Sequence, residues 1–277
     1  MRRLPSWLMP ALAGTTAAIL LLLERRRPRR PRVAPWPRRA VVDLALLGAS
    51  AASVAALNAA FVGRVTRWVE RSEFGLLPRL GWSRPWRTVA GVALLDYSLW
   101  HWHRWNHLVP FLWRFHAVHH ADRDLDVLTA ARFHYGEMTL SVGYRALQVA
   151  LTGADAATVA LWQALLIPSI LFHHSNLRLG PGLERSLVRV VVTPGMHEIH
   201  HSDVRDETSS NWSSLLTLWD RLHGTLRLDV PPETIRIGVP AYGQPESVGL
   251  GRMLVEPFRP QPDYWQGRIT RGRKLPG

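Results

Sequence analysis

Thirteen histidines lie between His101 and His223 and none lies elsewhere in the 277 residues. Six of them fall between His101 and His120, a density that scattered core histidines do not reach. Their spacing says more than their number. His103 and His107 stand four apart, His116, His119 and His120 follow an i, i+3, i+4 pattern, and His197, His200 and His201 repeat it. On a helix such spacings put imidazoles on one face about a turn apart, where two or three can converge on one ion. Eight nitrogens in three groups exceed the four that a tetrahedral zinc takes, so they imply two metals of higher coordination number, whose open positions suit redox chemistry with dioxygen. The chain has no cysteine, so any metal is held by nitrogen and oxygen, and disulfides, thiolate clusters and cysteine nucleophiles are excluded.

The segments that must position these histidines are apolar. Ser6 to Leu23 is an unbroken apolar run long enough for a membrane helix, and eight arginines follow it by Arg39. A cleavable signal peptide would need small residues where this chain has Leu-Leu-Leu-Glu-Arg-Arg-Arg, so the run reads as an uncleaved anchor. Ala40 to Gly63 is a second run, and Thr88 to Trp102, which carries Asp96, a third. Met138 to Leu151, with Arg145 inside it, turns through Thr152-Gly153-Ala154-Asp155 into Ala156 to Phe172. At about 1.5 Å per residue the last run spans roughly 25 Å of a bilayer core of roughly 30 Å, so the pair reads as a hairpin that dips into the membrane. A soluble bundle is the rival, but the first run is apolar on every face and ends in arginines. The positive-inside rule makes the 24–39 loop cytoplasmic and returns the chain to the cytoplasm after Trp102. The 63–87 stretch is then an external loop, although it carries six Arg against two Glu. From Pro181 a soluble cap is expected, and after Gly224 an extended tail.

A net charge of +13 suggests nucleic acid until it is located. Residues 1–39 hold ten Arg and one Glu and residues 268–277 hold three Arg and one Lys, whereas residues 40–267 hold twenty charges of each sign. The body is neutral, and no nucleic-acid partner is expected. The arginine loop reads as a topology determinant with lipid head-group contact.

The text around the histidines resembles the membrane fatty acid hydroxylase/sterol desaturase superfamily from about residue 90 to 260. Asp96-Tyr97 leads into His103-Arg104-Trp105-Asn106-His107, followed by Trp113-Arg114-Phe115-His116-Ala117-Val118-His119-His120. Arg132-Phe133-His134, His174-Ser175-Asn176, His197-Glu198-Ile199-His200-His201-Ser202, Leu218-Trp219-Asp220-Arg221 and Pro257-Phe258-Arg259 continue it. Tyr135 departs from the pattern, which has proline there, and so does His223, where the pattern has phenylalanine. The resemblance implies an all-α polytopic membrane bundle with a cytoplasmic histidine-rich cap over a dinuclear metal site. It further implies two iron ions, replaceable by zinc in a preparation, that use dioxygen and two external electrons to hydroxylate or desaturate a lipid. Carried over by position, the ligands are His103, His107, His116, His119, His120, His197, His200 and His201, with His134 and His174 as further members. No catalytic side chain beyond the metal centre is expected, and His101, His173 and His223 are left outside the ligand set.

Each liganding imidazole needs an acceptor for its other N–H. Asp96 is the first candidate for that role, with Glu137 and Asp203 behind it. The implied partners are a lipid substrate and a separate electron carrier, cytochrome b5 or ferredoxin with its reductase. The domains expected are an anchor and arginine loop (1–39), a catalytic domain (40–260) and a basic tail (261–277). Two rivals stand beside this reading. His197-Glu198-Ile199-His200-His201 satisfies H-E-x-x-H, the zinc metalloprotease motif with Glu198 as general base, but leaves the other histidines unexplained. A metal store or sensor would need the ligands but no open position.

Overall fold

The computed structural model describes residues 7–58 and 60–270. Ser6, at the head of the first apolar run, and residues 271–277 of the basic tail lie outside the described residues. Among the described residues thirteen α-helices follow in order: α1 Leu8–Arg26, α2 Trp36–Asn58, α3 Val62–Ser72, α4 Leu76–Arg79, α5 Arg84–Leu108, α6 Pro110–His120, α7 Tyr135–Thr152, α8 Ala156–His174, α9 Pro181–Leu187, α10 Pro194–His200, α11 Arg205–Thr208, α12 Leu218–Leu222 and α13 Leu250–Val255. No strand forms among the described residues, only isolated bridges such as Pro28 with Leu177.

Local chemistry sets the boundaries that matter to the site. α5 stops at Leu108 because Val109, extended ahead of Pro110, leaves the helical region, and Pro110 in the first turn then starts α6. The chain therefore changes direction between the first two histidine groups. α7 ends on Gly153 in the left-handed region (φ 71°), and the Asp155 carboxylate caps α8 by accepting the Thr158 N–H at 2.8 Å. This α7–α8 turn crosses the α3–α4 turn so closely that a Cβ at Gly75 (φ 106°) would sit 2.4 Å from the Gly153 nitrogen. Only glycine satisfies both the backbone angle and the contact.

α1, the stretch beginning with α2 and α8 are long and apolar enough to cross a membrane. Only 11% of the α1 window is buried inside the protein, so its apolar side chains need a lipid surround. The protein is accordingly a membrane protein. Val69 from α3, Leu95 from α5, Val149 from α7 and Trp162 and Leu166 from α8 form one core. Leu46 from α2, Trp113, Ala117 and Val118 from α6 and Met253 from α13 form another, beside the histidines.

Two expectations are corrected. The 63–87 stretch is not a loop: it contains most of α3 and all of α4, and α3 packs Val62, Val65 and Val69 into the first core. Nor is the chain after Gly224 an extended tail. Val239, Tyr242 and Met253 are buried against α2 and α6, and Trp265 stacks on Trp113 with ring centroids 5.7 Å apart. Isolated apolar residues among prolines and glycines show no periodicity, although together they close the underside of α6.

Candidate metal centre

Four helices bring nine histidines into two groups. His103, His107, His116, His120 and His200 form one, and His119, His174, His197 and His201 the other, with the ligand atoms in each group within 4.8 Å of one another. The last turns of α5 supply His103 and His107, and the end of α8 supplies His174. Both groups draw on α6 and α10. In each H-x2-H-H motif the residues four apart share a group (His116 with His120, His197 with His201), while the third histidine (His119 or His200) serves the other. A helix advances about 100° per residue, so His119 points off the line joining His116 and His120. Two such helices facing each other through this motif therefore build two adjacent pockets.

Hydrogen bonds fix the rings. The Nδ1–H groups donate to main-chain carbonyls: His103 to Trp212 at 2.8 Å, His200 to Ser210 at 2.8 Å, His174 to Ile170 at 2.8 Å and His119 to Arg132 at 3.3 Å. Their Nε2 atoms are then bare lone pairs. Yet His174 Nε2 lies 3.1 Å from His119 Nε2 and 3.0 Å from His197 Nε2, which is in turn 3.1 Å from His201 Nε2. The His119 and His174 nitrogens are two acceptors facing one another, which repel, and a cation between them reverses the sign. Ligands about 2.0–2.1 Å from a tetrahedral ion stand roughly 3.3 Å apart, close to these separations. In the larger group the Nε2 atoms of His107, His116, His120 and His200 are buried without a partner. Burial, reinforced by neighbouring imidazoles, pushes His119, His120, His197 and His201 well below the ordinary histidine range, and burial takes His200 down to about 3. Converging imidazoles whose buried Nε2 atoms face one another or lack a partner fit a divalent metal in each group.

The expected acceptors divide. Glu137 stands behind an imidazole, with Oε1 3.0 Å from His116 Nδ1. Asp96 does not: its carboxylate accepts from Trp219 Nε1 at 2.6 Å and the Leu216 N–H at 3.1 Å, tying α5 to the segment before and within α12. Asp203 pairs with Arg268 on the far side of Ser202. His134 is also corrected. Its Nδ1 accepts the Gly136 N–H at 2.9 Å and its Nε2–H donates to the Leu254 carbonyl at 3.1 Å, so this ring caps α7 and has no nitrogen left for a metal.

Of the three histidines left aside, His223 stacks on Trp100 with centroids 4.2 Å apart and His101 packs beside it. His173 lies nearer the centre, 4.2 Å from the His197 ring, with Nδ1 buried and unpartnered. The paired His173-His174 at the end of an apolar helix was its sequence signal. Glu198 is buried and faces the amino-terminal loop, accepting from Arg29 at 2.5 Å and Arg30 at 2.8 Å. With both oxygens held by guanidinium groups it is no general base, which removes the metalloprotease reading. Those arginines, read as a topology determinant, thus also clamp α10.

Beneath the histidines lies a cavity of about 170 Å³. Trp102, Phe133, Leu166 and Ile170 give it apolar walls, and His103, His116, His119, His174 and His197 line its metal end. Phe133 stacks on His119 with centroids 4.3 Å apart and planes 8° from parallel. An apolar-walled slot with imidazoles at one end can hold an alkyl group against a metal pair.

Residues 88–225 match the family described as fatty acid hydroxylase. An ornithine lipid hydroxylase of Rhizobium tropici is 31% identical over 180 residues, covering 64% of this chain and 52% of that one. Human alkylglycerol monooxygenase is 25% identical over 190 residues (68% of this chain, 42% of the relative), and mouse cholesterol 25-hydroxylase 28% over 147 residues (52% and 48%). The match spans about half the length of these relatives. No solved structure matches the chain.

Proposed function

We propose, for a chain that belongs to the fatty acid hydroxylase superfamily through residues 88–225, a membrane-bound di-iron oxygenase that hydroxylates an unactivated C–H bond of a lipid. The observation that carries this reading is the pair of buried histidine groups, lone pairs facing inward, at the end of an apolar cavity. The three relatives support the reaction class, since their names are those of lipid hydroxylases and a monooxygenase.

His103, His107, His116, His120 and His200 would hold one iron and His119, His174, His197 and His201 the other. Bound there, the two irons would supply the chemistry of dioxygen activation, with two external electrons, for which the lipid C–H bond is the target. The chain's own residues do the rest. Trp102, Phe133, Leu166 and Ile170 hold the alkyl group and exclude water. Main-chain carbonyls of Trp212, Ser210, Arg132 and Ile170 keep the proton on Nδ1 of four rings, so that Nε2 remains the ligand atom. Glu137 does the same for His116. Electrons come from a separate carrier, ferredoxin or cytochrome b5 with its reductase. The positive-inside rule, applied to the arginine loop after α1, supports a metal end on the cytoplasmic side, where such carriers are reduced. Whether the product is an alcohol or an alkene depends on which hydrogens the cavity presents.

The test is elemental analysis of detergent-purified protein with His119→Ala and His200→Ala alongside, followed by oxygen uptake with a donor system and a lipid extract. Two metals per chain are expected, with about one lost in each variant, and uptake that both variants abolish. Wild-type protein that holds a single metal, lost in His200→Ala and kept in His119→Ala, or metal-loaded protein that consumes no oxygen with any lipid, overturns the proposal.

A further inference from the structure

The cavity has a second end. α7 lines it with Glu137, Met138, Ser141, Tyr144, Arg145 and Gln148, a stripe at helical spacing that runs away from the metals. Glu137 is committed to His116. Arg145, eight residues on and so about 12 Å further along the axis, has no carboxylate partner among the described residues. Its Nε–H donates to Gln148 Oε1 at 2.8 Å and its guanidinium lies 4.1 Å from the Trp162 ring centroid, so two contacts orient it. The other four N–H donors meet no acceptor among the described residues. Arg39 and Arg132, the arginines buried outright among the described residues, are each satisfied by carboxylates, whereas Arg145 is only partly covered. A fixed guanidinium with unused donors, lining an apolar-walled cavity, is a counter-charge waiting for a ligand.

We propose that Arg145 anchors the anionic head of a single-chain amphiphile, a fatty carboxylate or a lysophospholipid phosphate, whose alkyl chain runs along the cavity to the histidines. The inference rests on the cavity being the substrate site and adds its selectivity. The head is held about 12 Å from the metal end, so the carbon presented for reaction lies in mid-chain and not beside the head group. Arg145 then acts as a ruler, with Trp162 and Gln148 holding it in place.

The experiment reads occupancy, not turnover. Protein as purified, in neutral phosphatidylcholine nanodiscs, is photolabelled with a diazirine-bearing palmitate at about pH 8.5, where a membrane-bound carboxylate is ionised. Palmitate, 1-palmitoyl lysophosphatidate and hexadecanol compete at equal mole fraction in the membrane. At least one of the two anions is expected to compete tenfold or more better than hexadecanol, and which one does so identifies the head. Arg145→Gln is expected to abolish that preference and leave hexadecanol competition unchanged, while Arg145→Lys retains part of it. Wild-type protein that does not distinguish the anions from the alcohol, or a preference that survives Arg145→Gln, overturns the proposal. The wild-type arm decides even where a variant folds poorly. Because labelling needs neither metal nor dioxygen, an absence of oxygen uptake would sink the oxygenase reading alone. Oxygen uptake with a labelling pattern blind to Arg145 would sink this one alone.

Discussion

The molecule buries two polar regions side by side and treats them in opposite ways. Next to the histidines lies a layer of arginines and carboxylates in which every strong charge is answered. Arg39 Nε donates to Asp122 at 2.8 Å and its terminal nitrogens reach both oxygens of Asp126 at 2.7 and 2.6 Å. Arg132 donates to Asp43 at 2.7 Å and to the Val118 carbonyl at 3.0 Å. The histidine groups leave their inward nitrogens unanswered: these face each other or meet no donor. A compensated cluster is complete as it folds, whereas an uncompensated one is complete only with its ligand. By that criterion the arginine layer is architecture and the histidines are a site. The two are joined, since the Arg132 carbonyl accepts from His119 and the arginine-held Glu198 stands beside His197.

The sharpest way to break this contrast is to remove one partner from the compensated side. Arg39→Ala leaves Asp122 buried without a cationic partner and Asp126 with only Arg32 at 3.6 Å, in the class of change that costs about 3–5 kcal/mol. Purified protein should unfold at markedly lower temperature whether or not metal has been stripped from it. His200→Ala should instead lower the melting temperature of metal-loaded protein and leave metal-stripped protein little altered, because its contribution is delivered through the ion. Equal losses for the two variants in stripped protein would erase the distinction.

A smaller effect sits where the regions meet the rings. Glu137→Ala removes the carboxylate behind His116 and should weaken metal in the five-histidine group by about 10–100-fold, leaving the four-histidine group filled. A metal titration under chelator competition should then show one tight and one weakened site. Two sites weakened alike would mean that the groups are a single coupled unit and not two pockets.

How much of this was legible depends on whether the signal lay in spacing or in assembly. The i, i+3, i+4 histidine patterns require a helical face, and the apolar runs gave α1, α2, α5, α7 and α8 to within a few residues. The division of each motif between two groups could not be read, because it depends on α6 and α10 facing each other. Nor could most imidazole acceptors, which are main-chain carbonyls and leave no residue type to search for. Asp96 was a reasonable candidate by position, but a carboxylate buried a turn and more before His103 found the Trp219 indole first. Counting arginines in the 24–39 loop treated them as interchangeable, whereas Arg29, Arg30, Arg32 and Arg39 each have a specific carboxylate. Those partners, Asp122 and Asp126 among them, lie more than eighty residues away in places, and distance in sequence hid the pairing.

The smallest expected effect concerns the one carried-over histidine that stands on the compensated side. His134 lies one residue after Phe133, which touches His119, so proximity alone would keep it in the ligand set. Its bonds place it elsewhere. One nitrogen caps the first turn of α7 through the Gly136 N–H and the other holds the Leu254 carbonyl, fastening α7 to the segment that closes under α6. Asparagine offers an acceptor oxygen and a donor amide in similar positions, and is itself a preferred cap. His134→Asn should therefore leave the metal content unchanged at both groups and shift stability by well under about 1 kcal/mol, while His134→Ala, which loses the cap, should cost about 1 kcal/mol and still bind both metals. Measuring metal and melting temperature together on the two variants separates the roles. A ligand would lose metal in both variants, and a cap would lose stability in the alanine variant alone.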